Sequence, residues 1–230
     1  TQVLIKVLST GVCHSDLHLW EGGYDTGDGF MKVTDRGVKF PVTPGHEVVG
    51  NIEKIGESVK DVQIGDTVLV YPWIGCDACS TCKKGDTNLC ETPKSLGVFQ
   101  DGGYAEKVIV PDYKFLANIG DVNPDSASSL ACSGLTAYTA VKKALVNNPE
   151  SILIVGAGGL GLMGVQLASH MAKCKIICAD IDDEKLKTAK ELGATDVINT
   201  KESDASQKIM SICNEKGVDS IVDFVNAPPT

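Results

Sequence analysis

The amino-acid sequence predicts an α/β protein with a β-rich first half and a doubly wound parallel sheet in its second half. Residues 1–120 contain short β-branched runs separated by Gly, Pro and Asp, a pattern typical of a compact mixed or barrel-like sheet. Beyond residue 150, segments with strand patterns alternate with segments of helical periodicity. Such alternation is typical of βαβ units, which build parallel sheets.

The first half is predicted to form strands at residues 3–7, 47–55, 66–71 and 104–110. The stretch 20–45 is rich in Gly and Asp, and we expect a long surface loop there. The segment 124–145 has a helical pattern and is expected to join the halves. We therefore predict a first domain at 1–123 and a second at 124–230, with 124–145 as linking helices.

Four strands are predicted in the second half. The first, SILIVGAG, is almost entirely apolar, as expected for a parallel strand covered on both faces. Apolar residues then recur at helical spacing from Leu160 to Met171. The strands are predicted at 151–158, 175–180, 196–199 and 220–225, with further helices at 183–193 and 204–215.

Composition excludes several classes of function. A net charge of −9 argues against a nucleic-acid surface, because phosphate binding depends on Lys and Arg. No apolar run reaches the roughly 18 residues of a membrane span, and no signal peptide is visible. Nine cysteines without an export signal favour metal or redox chemistry over disulfides. The expected compartment is the cytoplasm.

Four of the cysteines follow the spacing C-x2-C-x2-C-x7-C. Tetrahedral zinc binds four thiolates, and gaps of two residues let one loop surround the ion. We predict a structural zinc site there, since four protein ligands leave no position open for chemistry; two disulfides are the disfavoured alternative. The predicted ligands are Cys76, Cys79, Cys82 and Cys90.

The other candidates for metal binding are scattered. Cys13 lies in GVCHSD, His46 and Glu47 lie in TPGHE, and Cys132 lies in LACSG. Each alone is a weak signal, and spacing cannot bring residues so far apart in the sequence together. Cys174, Cys178 and Cys213 lie in or beside apolar segments and are expected to be small core residues, and His170 is expected at the surface.

A G-x-G-x-x-G motif, GAGGLG, follows the strand at 151 and opens a helix. Its glycines permit a tight turn, close approach of a pyrophosphate and close packing of the helix on the strand. Backbone N–H groups at the start of that helix can bind phosphates. Asp180 ends the next strand, where a carboxylate accepts from ribose hydroxyls and repels a 2′-phosphate, so NAD is preferred over NADP. The predicted cofactor residues of the motif are Gly156, Gly158, Gly159, Leu160 and Gly161.

The order GVCHSD, PGHE, four-cysteine loop, cysteine and GAGGLG resembles the zinc-dependent alcohol dehydrogenases of the medium-chain dehydrogenase/reductase family, of the archaeal and bacterial NAD-dependent type. The resemblance covers essentially the whole chain. It implies a GroES-like catalytic domain followed by a Rossmann domain, and transfer of a hydride between an alcohol and NAD. It also implies two zinc ions per chain, one catalytic and one structural.

The resemblance assigns roles to individual residues. Cys13, His46 and Cys132 match the catalytic zinc ligands, and Glu47 the carboxylate that joins or leaves the metal. Asp16 matches the acid that orients His46, and Ser15 and His18 match the proton relay. The matches to cofactor and substrate positions are His14 at the pyrophosphate, Thr136 at the nicotinamide, Lys185 at the ribose and Trp73 in the substrate pocket.

Alternatives remain at this stage. Polyol, threonine and formaldehyde dehydrogenases share these ligands, and a zinc-stabilised module that binds NAD without catalysis is a different class of protein. Because the chain ends after a fourth parallel strand and starts directly in a strand, we expect a truncated member of the family. The complete protein is expected to be a homo-oligomer acting on a small alcohol, aldehyde or ketone.

Overall fold

The computed structural model describes residues 1–227, which form two compact units divided between Cys132 and Ser133. The strands and helices of the first unit are β1 (Val3–Gly11), α1 (His14–Glu21), β2 (Gly23–Asp25), β3 (Phe30–Lys32), β4 (Glu47–Ile55), β5 (Thr67–Val70), α2 (Ser80–Lys83), β6 (Lys107–Val110), β7 (Leu116–Asn118) and α3 (Pro124–Ala127). Four 3-10 helices lie at Val33–Arg36, Thr87–Leu89, Tyr113–Phe115 and Ser128–Ala131.

Five strands of the first unit form an antiparallel sheet in the order β6-β1-β4-β5-β7. Alternate side chains, among them Val3, Ile5 and Val68, point to a single apolar core, because successive residues of a strand face opposite sides of the sheet. The predicted strand 47–55 matches β4, whereas the predicted strands 66–71 and 104–110 are shorter in the structure.

The expectation of a long surface loop at 20–45 is wrong. The segment contains the end of α1, the antiparallel β2–β3 hairpin and a 3-10 helix at Val33–Arg36. Val33 and Val38 are buried against Leu19 of α1. Strands of three residues are too short to show a period in the sequence, and three of the nine Gly and Asp residues that suggested a loop form the hairpin turn.

The second unit contains α4 (Ser133–Ala144), β8 (Ser151–Val155), α5 (Gly159–Met171), β9 (Lys175–Asp180), α6 (Asp183–Glu191), β10 (Asp196–Asn199), α7 (Ala205–Ile212) and β11 (Ser220–Asp223). The strands form a parallel sheet in the order β10-β9-β8-β11. Ile152 and Ile154 belong to one apolar cluster and Leu153 to another, so both faces of the sheet are covered, as its apolar strands require.

The predicted α/β class with four parallel strands is confirmed. β9 and β10 match the predicted ranges, and β8 ends at Val155 because Gly156 turns the chain with a φ of +92°. Residues 124–132 contact β1 and β4 of the first unit, whereas the sequence analysis placed them in the second domain; the boundary at 123/124 stays a prediction. Between residues 1 and 227, no helix has both the length and the apolar content needed to cross a bilayer.

Candidate metal centres and cofactor site

The four cysteines of the C-x2-C-x2-C-x7-C segment converge in the structure. Their sulfur atoms all lie within 4.8 Å of one another. Cys79 caps the short helix α2, with its sulfur accepting from the backbone N–H of Cys82 at 3.5 Å. A Cβ at Gly75 would lie 2.5 Å from the sulfur of Cys82, so the chain needs glycine there to pass so close to the cluster.

Backbone N–H groups surround these sulfur atoms. Cys76 accepts from the N–H of Cys79 at 3.3 Å, and Cys90 accepts from the N–H groups of Cys76 at 3.2 Å and Thr92 at 3.3 Å. Hydrogen bonds to a thiolate favour its charged form. Four thiols with this support, each presenting one sulfur to the same point, fit a tetrahedral zinc ion.

The electrostatics of the four thiols also fit a cation. Hydrogen bonding, first from Thr92 and then from the N–H groups of Ala78 and Cys79, lowers the pKa of Cys76 to about 5. Removal from water, followed by competition from its neighbouring thiols, raises the pKa of Cys82 to about 12. The four groups can therefore all be thiolates only with a positive ion among them, because burial and neighbouring thiols oppose ionisation of Cys82.

A second group of ligands comes from distant parts of the first unit. Cys13 precedes α1, His46 and Glu47 lie at the start of β4, and Cys132 follows a 3-10 helix. One ligand atom from each lies within 4.8 Å of the others, and the sulfur atoms of Cys13 and Cys132 are 3.9 Å apart. His46, Glu47 and Cys132 are buried, and Cys13 is half-buried. The structure thus brings together all four residues singled out from the sequence.

The carboxylate of Asp16 contacts one of these candidate ligands. Its Oδ1 lies 3.2 Å from Nδ1 of His46 and accepts from the N–H of Gly45 at 3.2 Å. Its Oδ2 accepts from the N–H of Cys13 at 2.9 Å and from the hydroxyl of Tyr104 at 3.0 Å. With Nδ1 held by Asp16, the buried Nε2 of His46 has no hydrogen-bond partner among the described residues. An unpartnered nitrogen facing two thiols fits a metal ligand.

Charge at this second group also favours a cation. Hydrogen bonding with Cys132 lowers the pKa of Cys13 well below its ordinary value, against the opposing effect of burial. Burial alone would lower the pKa of His46, but the carboxylate of Asp16 and the nearby thiol of Cys13 outweigh burial and raise it to about 9. These interactions favour the thiolate of Cys13.

A cavity of about 580 Å³ is lined by residues that adjoin this group and by Cys90 of the four-cysteine cluster, but by none of the four residues of the group itself. Ser15 and His18, which are three residues apart on α1 and so share a helix face, both line it. Trp73 also lines the cavity, and its ring lies 5.6 Å from the ring of His46. His14 is exposed, with its ring 4.8 Å from that of His18.

The GAGGLG motif of the second unit has the geometry that its glycines require. Gly156 adopts a φ of +92°, and a Cβ at Gly161 would lie 1.6 Å from the carbonyl oxygen of Gly156. A Cβ at Gly158 would meet nothing within 4 Å, so Gly158 lies beside open space that a ligand can enter. Gly159 and Leu160 form the first turn of α5, where unpaired N–H groups favour an anion.

Asp180 lies at the end of β9, next to the motif. One carboxylate oxygen accepts from the N–H of Ala157 at 2.6 Å, and the other accepts from the N–H groups of Ile181 at 2.7 Å and Asp182 at 3.0 Å. These bonds fix the carboxylate beside the turn at Gly156. Thr136 on α4 and Lys185 on α6 are exposed, so the structure leaves both accessible to a ligand.

The remaining sequence-based expectations concern His170 and the three other cysteines. His170 is exposed at the end of α5, Cys178 and Cys213 are buried in apolar clusters, and Cys174 is half-buried. Two residues near the second group were not singled out from the sequence: Tyr104, which hydrogen-bonds to Asp16, and Arg36, which lines the cavity. Neither belongs to a motif of the sequence, and only the fold brings them to the site.

Comparison with known proteins agrees with both units. The family model described as the alcohol dehydrogenase GroES-like domain matches residues 1–121, and the one described as zinc-binding dehydrogenase matches residues 159–230. An NAD-dependent alcohol dehydrogenase of Saccharolobus solfataricus is 44% identical over 100% of this chain and 65% of its own length. One of Sulfurisphaera tokodaii is 42% identical over 100% of this chain and 66% of its own length.

Solved structures agree as well. An alcohol dehydrogenase from Aeropyrum pernix superposes with a TM-score of 0.83 and 34% identity, covering 97% of this chain and 64% of the other. A D-arabinose dehydrogenase from Sulfolobus solfataricus superposes with a TM-score of 0.86 and 29% identity, covering 97% and 67% of the two chains. The chain thus spans about two thirds of the length of these relatives, and it belongs to the zinc-binding alcohol dehydrogenase family of medium-chain dehydrogenases.

Proposed function

We propose that the protein is a zinc-dependent oxidoreductase that transfers a hydride between an alcohol, or the corresponding aldehyde or ketone, and NAD. The observation that carries the proposal is the convergence of Cys13, His46 and Cys132, three side chains from distant segments, beside a cavity lined by Ser15 and His18. Two sulfurs and one imidazole nitrogen form a ligand set that is known from catalytic zinc sites, in which the fourth position stays open.

We infer two zinc ions per chain. Cys76, Cys79, Cys82 and Cys90 would hold one with all four positions filled, and Cys13, His46 and Cys132 would hold the other, with Glu47 close enough to join them. A zinc ion held by Cys13, His46 and Cys132 would supply Lewis acidity toward an alcohol hydroxyl, and NAD held at the GAGGLG turn would supply the hydride acceptor. Side chains of the protein would then bind the substrate and move its proton.

Ser15 and His18 are the residues that would move the proton. The hydroxyl of Ser15 can hydrogen-bond to a substrate hydroxyl in the cavity, and His18 lies one helical turn further on, with Nδ1 3.8 Å from a carboxylate oxygen of Glu21. An imidazole can accept a proton at one ring nitrogen and donate one from the other, so it suits a relay that passes a proton toward solvent. Asp16 acts on the metal side of the site, where it would fix the tautomer of His46.

The preference for NAD over NADP rests on Asp180. Its carboxylate, fixed by three backbone N–H groups beside the GAGGLG turn, would accept hydrogen bonds from ribose hydroxyls and repel a 2′-phosphate. His14, Thr136 and Lys185 are the further contacts that we propose with the cofactor. A homo-oligomeric state and a cytoplasmic location remain proposals that rest on the sequence.

The experiment is a panel of primary, secondary and aromatic alcohols with NAD, using the protein and two cysteine variants. Cys13→Ser should abolish turnover, because a hydroxyl is a far weaker zinc ligand than a thiolate. Cys174→Ser, outside both clusters, is the matched control and should retain it. Turnover that survives Cys13→Ser would exclude the proposed centre, and NAD binding without turnover of any alcohol would favour the non-catalytic module.

A further inference from the structure

The single arginine of the chain lies in the cavity beside the second ligand group. Arg36 is the only arginine among 21 basic residues, and it lines the same cavity as Ser15 and Trp73. It belongs to the 3-10 helix that follows the β2–β3 hairpin, a segment without any motif in the sequence. A guanidinium differs from an ammonium in offering several N–H groups in a rigid fork that matches a carboxylate or a phosphate.

The electrostatic character of this cavity differs from that of the whole chain. The sequence carries 30 acidic residues and a net charge of −9, yet none of the described side chains that line the cavity is an aspartate or a glutamate. Most of its wall is apolar and includes Leu19, Val33, Val38 and Phe99. A cation without a neighbouring carboxylate favours an anionic ligand and disfavours a cationic one.

The guanidinium is positioned but not neutralised. Its Nη1 donates a hydrogen bond to the hydroxyl of Tyr24, which also lines the cavity. Over residues 1–227, no carboxylate lies within ion-pairing distance of Arg36. One of five donor positions is therefore used by a neutral partner, and the others can bind a ligand. Arg36 is exposed whereas Leu19, Val33 and Val38 are buried, so the charge lies at the open side of the cavity.

Trp73 connects this cavity with the candidate metal ligands, since its ring is 5.6 Å from that of His46 and it lines the cavity. A substrate with its hydroxyl at Ser15 would share the cavity with its apolar wall and with Arg36. Such a lining suits a molecule that carries a reactive alcohol, an apolar part and a charged group.

We propose that the substrate is an alcohol, or the corresponding aldehyde, whose far end carries an anionic group that Arg36 binds. The proposal rests on the proposed function, because it places the reacting end of the substrate beside the zinc ligands. A carboxylate and a phosphate share the required chemistry, namely oxygen acceptors that match the guanidinium fork. Arg36 is then the residue that selects the substrate, and Tyr24 holds the guanidinium in position.

The competing explanation is structural. The bond between Arg36 and Tyr24 joins the 3-10 helix to β2, and it could serve only to stabilise that segment. A purely structural arginine would affect charged and neutral substrates alike. A binding arginine affects them differently, because a site that hydrogen-bonds a substrate group discriminates against analogues that lack the group.

The experiment compares kcat/KM for ω-hydroxycarboxylates and ω-hydroxyalkyl phosphates with kcat/KM for unsubstituted primary alcohols of the same chain length. The protein is assayed beside Arg36→Gln and Arg36→Lys. Lys39→Gln is the matched control, because Lys39 is an exposed cation close in sequence that does not line the cavity. The anionic substrate series with the larger kcat/KM shows whether Arg36 binds a carboxylate or a phosphate in the natural substrate.

In Arg36→Gln, the ratio of kcat/KM for the anionic substrate to kcat/KM for the neutral one should fall by about 10- to 100-fold, the size of a lost hydrogen bond to a charged group. Arg36→Lys should give a smaller fall, because it keeps the charge and loses the fork. Lys39→Gln should leave the ratio unchanged. A ratio that is unchanged in Arg36→Gln, or an equal loss for both substrates, would overturn the proposal.

A second readout separates this proposal from the proposed function. In a Trp20→Phe background Trp73 is the only tryptophan, and its fluorescence can report binding of a hydroxycarboxylate without turnover. Absence of turnover with every alcohol would contradict the proposed function alone. Binding that is lost in Arg36→Gln would still support the anion site, and binding of equal strength in both proteins would overturn it.

Discussion

At the residue scale, the proposed second metal centre depends on how Asp16 is held. Both oxygens of this buried carboxylate are bonded, to the N–H groups of Cys13 and Gly45, the ring of His46 and the hydroxyl of Tyr104. Two of the four partners are themselves candidate ligands. Asp16 therefore fixes Cys13 through its backbone and His46 through its ring, and a single side chain sets the geometry of two ligands.

Replacement of this carboxylate should weaken metal binding. Asp16→Asn removes the charge and turns an N–H donor toward groups that also donate, so zinc affinity at Cys13, His46 and Cys132 should fall about 10- to 100-fold. Chelator competition measures the affinity of each site. The four-cysteine site should keep its zinc, and Asp28→Asn, at an exposed carboxylate of the hairpin turn, should change neither. If zinc at Cys13, His46 and Cys132 resisted the chelator equally in Asp16→Asn and in the unsubstituted protein, this role of Asp16 would be contradicted.

Spacing could not have predicted the second centre, although it predicted the first. The four cysteines lie within one short loop, whereas Cys13 and Cys132 are 119 residues apart. Only the family resemblance grouped them. Neither spacing nor the family resemblance identified Tyr104. Nothing in its strand-like run indicates that its hydroxyl contacts a carboxylate 88 residues away.

Buried cysteines outside the two centres should resist modification. Burial, with a smaller effect of Asp180, raises the pKa of Cys178 from 9.0 to about 11. A thiol with a raised pKa stabilises the fold only while it is protonated, so its contribution is lost as pH rises from about 9 toward 11. At pH 8, iodoacetamide should label Cys178 in unfolded protein and not in native protein, as read by mass spectrometry. Rapid native labelling at that pH would show that β9 is not covered.

At the scale of elements, the turn between β8 and α5 shows how one motif serves two purposes. Gly161 has to be glycine for packing, because its Cβ would lie 1.6 Å from the carbonyl oxygen of Gly156. Gly158 has no such constraint within the protein, since its Cβ would meet nothing within 4 Å. The G-x-G-x-x-G pattern does not distinguish the two glycines. The structure shows that Gly161 is needed for packing and that Gly158 lies beside open space.

The two glycines therefore give opposite expectations for stability. Gly161→Ala should lower the melting temperature and weaken NAD binding together, because α5 must move away from β8. Gly158→Ala should leave the melting temperature nearly unchanged and weaken NAD binding alone, because the added methyl group occupies the space that the pyrophosphate would approach. Calorimetry and NAD titration of both variants measure the difference. Equal melting temperatures of Gly161→Ala and Gly158→Ala would contradict the packing role of Gly161.

Prediction of elements from the sequence succeeded where polar residues bound an apolar segment and failed where the strands were very short. β9 and β10 each begin and end with a polar residue around an apolar segment, so their limits were predictable. The β2–β3 hairpin has three residues in each strand, fewer than a period of alternation requires. That error matters for function, because the hairpin and the 3-10 helix after it carry Tyr24 and Arg36 into the cavity.

At the scale of the whole molecule, each unit holds one part of the proposed chemistry. The ligands of both candidate metal centres lie in the first unit, from Cys13 to Cys132, and the GAGGLG motif with Asp180 lies in the second. Composition and alternation predicted this division into a β-rich half and a parallel-sheet half. They could not predict which loops of the first half meet, since antiparallel sheets join segments that are distant in the sequence.

We propose that the chain builds two separate zinc centres, one closed by four thiolates and one with an open position. The most direct measurement is the zinc content per chain, by mass spectrometry of the metal, for the protein and for the variants Cys13→Ala and Cys82→Ala. We expect two zinc ions in the protein and one in Cys13→Ala, with the remaining ion resistant to chelation, and we expect Cys82→Ala to lose the other ion. A single zinc ion that is unaffected by Cys13→Ala would contradict the account.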